Sequence, residues 1–158
     1  SGALLWAWRL AELQLLSAIC WKRDWFRKVV DTQDFDLGAI ESIKKNPNHI
    51  EISGSEYANP FNKGAYVNQL DFVILASLEV DVNFNCNVVV GSDGMITGAQ
   101  GGHPDTAAGA KCTIVIAPLL QGRIPAICTN VTTVTTPGET VDVVVTDYGV
   151  ALTQEDRI

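Results

Sequence analysis

Three short apolar runs set the limits on the fold: Asp71–Ser77 (DFVILAS), Cys112–Ala117 (CTIVIA) and Val141–Thr146 (VDVVVT). Each has the length of a strand, and DFVILAS lacks the alternation of a half-exposed one. That is the pattern of a strand covered on both faces in a parallel sheet. Short loops and helix signals separate the strand candidates, so the sequence predicts an α/β class with a mixed sheet. At 158 residues and 47% hydrophobic content the chain can enclose a core of its own as one domain. A net charge of −7 with no basic cluster argues against nucleic-acid binding. Four scattered cysteines, none in a CxxC pair, suit reduced thiols in a cytoplasmic protein better than a zinc site or disulfide frame. The apolar opening carries Arg9 and Glu12 and is read as neither a signal peptide nor a membrane span.

Between the runs the local signals are weaker. Leu4–Ile19 reads as an amphipathic or buried helix. Arg27–Val30 reads as a strand, followed by the acidic turn DTQDFD. Asp36 is placed to cap a helix from Leu37 to about Lys45, with lysines at its negative end and Asn46-Pro47-Asn48 to stop it. His49–Ser53 alternates like a strand, and Ser55–Gly64 reads as a loop. Glu79–Val82 and Asn85–Val90 alternate, and Ala126–Thr135 is rich in β-branched residues. Pro118–Pro125 is a connection, Pro137-Gly138 a turn, and Gly149–Leu152 a short edge.

The stretch Gly91–Lys111 (GSDGMITGAQGGHPDTAAGAK) holds six glycines. Glycine at this density costs backbone entropy and marks positive φ or close approach. Its end reads as a short helix opening at Asp105. A glycine-rich loop feeding a helix offers N–H groups to an anion; tight strand–helix packing explains the same composition. No HxxxH or His/Cys pair accompanies either histidine, so no metal site is expected.

YANPFNKG, EVD with FN, GSDG, GGHPDTAAGAK, PLLQGRIP and VTTPGETVDVVVTDYGVA occur in this order. Together they resemble the alpha subunit of bacterial citrate lyase, in its C-terminal half, over about Arg27–Ala151. The resemblance implies an open, mainly parallel sheet with flanking helices, of the CoA-transferase-like (NagB/RpiA-like) type. It divides the chain into residues 27–158, a partial CoA-transferase-like domain, and residues 1–26, a divergent helical segment. All four tryptophans lie in that first segment. A one-base shift across Glu12–Phe26 would restore the glycine turn and helix that related chains carry there, so the segment is also read as out of frame. The implied reaction exchanges acetyl for citrate on the thiol of an acyl carrier (gamma) subunit, giving citryl-thioester and acetate. A beta subunit then cleaves the citryl-thioester. CoA can replace the carrier's CoA-derived prosthetic group, and no tightly bound cofactor is implied; neither is a nucleic acid or membrane partner.

Acyl transfer from a thioester to a carboxylate passes through an oxyanion, for which backbone N–H groups are the usual donors. Gly101, Gly102 and Asp105 fit the GG-x-x-D signature of related transferases. His103 is a candidate donor or proton shuttle, with a histidine bonded to a backbone carbonyl as the alternative. Asp34 is the carboxylate nearest the family's nucleophilic glutamate, whose glutamate-asparagine-glycine motif is missing here; an acidic turn explains Asp34 equally. Asn59, Asn62, Lys63, Glu79, Asn85 and Asn87, with Arg123 and Asp81 beside them, are expected to meet citrate or to satisfy their own turns. Two alternatives stand beside the transferase: a truncated assembly module without turnover, and a CoA transferase or hydrolase for another carboxylate. The piece alone is expected to be inactive or weak.

Overall fold

The computed structural model describes residues 28–33 and 37–153, together with the backbone of 5–8. Asp34 and Asp36 therefore lie outside the described residues, as does nearly all of the opening segment. Its one described piece, Leu5–Trp8 (β1), is a strand rather than the start of a helix. It lies parallel to Phe72–Ala76 (β4 below) with Leu5 opposite Phe72, so sheet pairing has won over helical periodicity.

Val29–Asp31 (β2) and His49–Glu51 (β3) run parallel and are joined by the helix Leu37–Lys45 (α1). The helix ends where the sequence places its end, with Lys44 and Lys45 in the last turn. Gly54–Ala58 (α2) follows where a loop was expected. Its cause is legible: Ser53 Oγ accepts from the Glu56 N–H (3.2 Å) while Glu56 Oε2 accepts from the Ser53 N–H (3.0 Å), a capping box. The Ser53 N–H and hydroxyl, both donating to Oε2, hold the Glu56 carboxyl below its ordinary value.

A 3-10 turn at Tyr66–Gln69 leads into Phe72–Ala76 (β4). Glu79–Asp81 (β5) and Cys86–Asn87 (β6) form a small antiparallel hairpin. The glycine-rich stretch then ends in His103–Gly109 (α3), which begins two residues before Asp105 because Pro104 is accepted in a first turn. Thr113–Ile116 (β7) is the central strand. Leu120–Gln121 (β8) and Ile124–Pro125 (β9) make a minute hairpin turned by Gly122 at φ 64°. Of the β-branched run only Ile127–Cys128 (β10) is strand, beside β5. A 3-10 turn at Gly138–Thr140 precedes Val143–Val145 (β11) and Val150–Leu152 (β12).

The strands form four sheets, not one. The largest has order β1-β4-β7-β11-β12, parallel through β11 with β12 antiparallel at the edge. The others are β10-β5-β6, β2-β3 and β8-β9. Leu70, Val73, Leu75 and Val115 are at most 1% exposed and centre the core. Burying each contributes roughly 1.5–3 kcal/mol. Helix α3 packs against α2, β4 and both 3-10 turns, so the glycine stretch is clamped at the C-terminal end of β4.

Candidate active site

The clamp starts from glycine. Gly101 has φ 51°, a left-handed conformation that a side chain would strain. Gly102 caps α3, and a Cβ there would lie 2.7 Å from the Tyr57 ring of α2. The turn is therefore closely packed on one side. Among the described residues the N–H groups of Gly101, Gly102 and Asp105 find no acceptor, whereas that of His103 donates to Gln100 O (3.0 Å). Asp105 is exposed in the first turn and caps nothing.

His103 is 2% exposed, and both ring nitrogens are taken. A carbonyl can only accept, so Nε2–H donates to Ala76 O (3.2 Å) at the end of β4, and Nδ1 accepts from the Thr136 hydroxyl (2.6 Å). Burial pushes its pKa down to about 4, partly opposed by the Ala76 bond, so the ring is neutral near pH 7. It holds the turn to the sheet.

Thr136 carries the contact on. Its N–H donates to Cys86 O (3.2 Å) and its carbonyl accepts from the Cys86 N–H (2.9 Å), which joins it to β6. Next in β6, Asn87 is fully buried and donates from Nδ2 to Glu79 Oε2 (3.0 Å) and Thr132 Oγ1 (3.1 Å). Its Oδ1 accepts from the N–H groups of Val89 and Val90. Glu79 is 5% exposed and has no cationic partner among the described residues. Asp81 accepts from the N–H groups of Asn83 and Asn85 and from Asn85 Nδ2, while Asn85 Oδ1 accepts from the Gly138 N–H (2.9 Å). His103, Glu79, Asn85 and Asn87 thus meet in one bonded frame beside the glycine turn.

Tyr57, the first residue of YANPFNKG, packs on the turn, but Asn59, Asn62 and Lys63 have no hydrogen bond to that frame among the described residues. Asn59 Oδ1 accepts from the Phe61 N–H, and Asn62 bonds both Ser55 and the Gly64 N–H, so both satisfy their own turn. Lys63 and Arg123 are exposed cations without an acidic partner among the described residues. Tyr57 and Thr136 lie within the YANPFNKG and VTTPGET runs but were not singled out as site residues; the fold brings them to the turn. No cluster of three metal-ligating side chains occurs among the described residues.

A second buried histidine belongs to the β2–β3 unit. His49 Nε2 lies 2.8 Å from Asp31 Oδ2, while His49 Nδ1, Asp31 Oδ1 and Asn46 Nδ2 are buried without partners.

The glycine turn, whose Gly101, Gly102 and Asp105 N–H groups have no acceptor among the described residues, lies at the C-terminal end of β4. The comparisons with known proteins agree on one family. The family model for the citrate lyase alpha subunit matches residues 19–157. The citrate lyase alpha chain of Haemophilus influenzae is 57% identical over 126 residues, 80% of this chain and 25% of its own length. That of Escherichia coli is 53% identical over the same shares. The alpha subunit of citrate lyase from Streptococcus mutans, solved in complex with citrate, is 44% identical with a TM-score of 0.85, covering 97% of this chain and 30% of that one. RipA from Yersinia pestis, 16% identical with a TM-score of 0.60 over 96% of this chain and 41% of that one, shares the fold. The chain thus spans about a quarter of the curated relatives it matches. Within those bounds, the chain belongs to the citrate lyase alpha subunit family.

Proposed function

We propose that this chain carries the acyl-transfer turn of a citrate lyase alpha-type transferase, in a NagB/RpiA-like sheet. The observation that carries the reading is the set of N–H groups on Gly101, Gly102 and Asp105 that have no acceptor among the described residues, in a chain of this family. The acetyl-thioester of an acyl carrier, or acetyl-CoA, presents its carbonyl there. A citrate carboxylate oxygen attacks that carbon, and the N–H groups hold the oxyanion that develops. Collapse expels the thiolate and leaves an acetyl–citryl anhydride. The thiolate then attacks the citryl carbonyl, and acetate leaves. No proton moves through His103, whose two nitrogens are engaged; it positions the turn.

Glu79, Asn85 and Asn87 support the frame rather than touch citrate, since they bond within the protein. Lys63 and Arg123 are the cations suited to a tricarboxylate. Asp34 remains the candidate carboxylate nearest the position of the family's nucleophilic glutamate. The carrier and beta subunits are the proposed macromolecular partners, in the cytoplasm. Residues 27–158 form the transferase piece, and residues 1–26 the divergent or frame-shifted one. A second reading, an assembly module without turnover, is favoured by the quarter-length match.

The test follows thioesters by chromatography after mixing the chain, acetyl-CoA and citrate, with and without the remainder of an alpha subunit. Citryl-CoA and acetate should appear together, weakly with the chain alone and strongly with the remainder. Gly102→Ala should lower the rate at least tenfold. Exchange with acetate but not citrate would move the assignment to another carboxylate. A complete set of subunits that turns over equally well without this chain would leave only the assembly role.

A further inference from the structure

Away from the glycine turn, the described residues form an apolar groove of about 400 Å³. Val80, Phe84, Leu119, Ile127, Val144 and Val150 contribute to its walls, and no residue of the glycine turn lines it. Its rim is unusually apolar for a free surface: Val82 is 65% exposed, Tyr148 87% and Val150 64%. One wall is β12, whose three residues are all exposed and which, among the described residues, pairs with β11 alone. An open edge strand faced with apolar side chains is a surface that native proteins cover. Leu152, 68% exposed, extends the same edge. Asp81 lines the groove but its carboxylate is occupied by Asn83 and Asn85, so the floor offers an incoming group little polar chemistry.

The occupant follows from size. The curated alpha chains that match this one are about four times as long as the matched region, so most of an alpha subunit is polypeptide that this chain does not match. We propose that the groove and the β12 edge are the seat of that polypeptide, which inserts apolar side chains between Phe84 and Val150. The proposal rests on family membership and not on the transfer chemistry, so it stands or falls separately from the reaction.

The test places a photoreactive benzoylphenylalanine at Tyr148 and co-expresses the chain with the Haemophilus influenzae alpha chain from which the matched quarter has been deleted. Illumination should cross-link the two, and Val82→Asp with Val150→Asp should reduce the yield at least tenfold, whereas Met95→Asp, on the exposed glycine stretch, should not. Because the deleted partner can fail to fold, the same photoreactive residue is also placed at the aligned position of the intact Haemophilus influenzae chain. There the cross-link should map to a peptide outside the matched quarter. Cross-links confined to a second copy of this chain, or to peptides inside the matched quarter of the intact relative, would overturn the proposal. So would cross-linking suppressed by acetyl-CoA, which would make the groove a ligand site.

Discussion

Two buried histidines in one small protein are treated in opposite ways. His103 has a partner for each ring nitrogen, in Thr136 and Ala76, and those partners belong to a frame that reaches Cys86, Asn87 and Glu79. Among the described residues His49 bonds only Asp31, and three buried polar atoms around it have no partner. An unpaired buried group costs about 1–3 kcal/mol, so the β2–β3 unit gives up stability that the His103 centre keeps. The difference teaches where precision is spent: both ring nitrogens of His103 are satisfied and the turn's exposed amides are left toward solvent, whereas the β2–β3 unit leaves polar atoms buried without partners among the described residues.

The sharpest way to break the contrast is at the strap that holds Thr136. Gly138 backs onto the chain so closely that a Cβ would fall 1.9 Å from Asn83 O, a backbone atom that cannot swing aside. Gly138→Ala should cost about 3–4 kcal/mol in urea unfolding. Its bond from the Gly138 N–H to Asn85 should loosen with it, seen as faster amide exchange at Asn85 and Cys86. An unchanged unfolding midpoint would show that the strap is not what fixes the frame.

The next effect is pH dependence. His103 titrates near its ordinary value of 6.5 when unfolded and at about 4 when folded, so below 6.5 the unfolded chain binds the extra proton. Its contribution is complete above about 6.5 and is lost progressively as pH falls toward 4. The loss is on the order of 3 kcal/mol, taking about 1.4 kcal/mol per unit. His103→Asn should flatten that slope between pH 6.5 and 4 in thermal melts, and an unchanged slope would assign it to other groups. At the other histidine, Asp31→Ala should cost about 1–3 kcal/mol by stranding the imidazole N–H. Replacing both Asp31 and His49 by leucine should return most of it, because the orphaned atoms leave together. A double variant as unstable as the sum of the singles would mean that the two side chains act independently. Smallest is the exposed Lys45–Glu41 pair at 3.2 Å, both side chains more than two-thirds exposed. Lys45→Ala should change stability by no more than about 0.5 kcal/mol, and less at high salt.

What the sequence disclosed follows from how local each cause is. The helix Leu37–Lys45 was legible because its terminal lysines and the Asn46-Pro47-Asn48 stop signal are neighbours in the chain. The three apolar runs became β4, β7 and β11 of the main sheet for the same reason. Helix α2 was legible too, through Ser53 and Glu56, yet the proline and asparagines just after it pointed to a loop. Ala126–Thr135 misled because β-branched residues describe a preference, and the chain there spends its backbone bonds on β5 and β6 instead. The site's frame was beyond reach: Thr136 meets His103 across 33 positions and Thr132 meets Asn87 across 45, and no local pattern encodes either meeting. The glycine motif located the turn without telling that its histidine would be occupied, since only burial decides that.

Cys86 is bonded through its backbone to Thr136, the residue that holds His103 of that turn. A protein that hands an acyl group between a thiol and a carboxylate runs a standing risk of acylating itself, because any thiolate within reach is a better nucleophile than citrate. Burial, with a smaller push from Asp81, raises this thiol to about 12. At pH 7 about one molecule in 10⁵ then carries the thiolate, the form that reacts. On the proposed reaction, the passing acyl group therefore meets no reactive thiolate at Cys86.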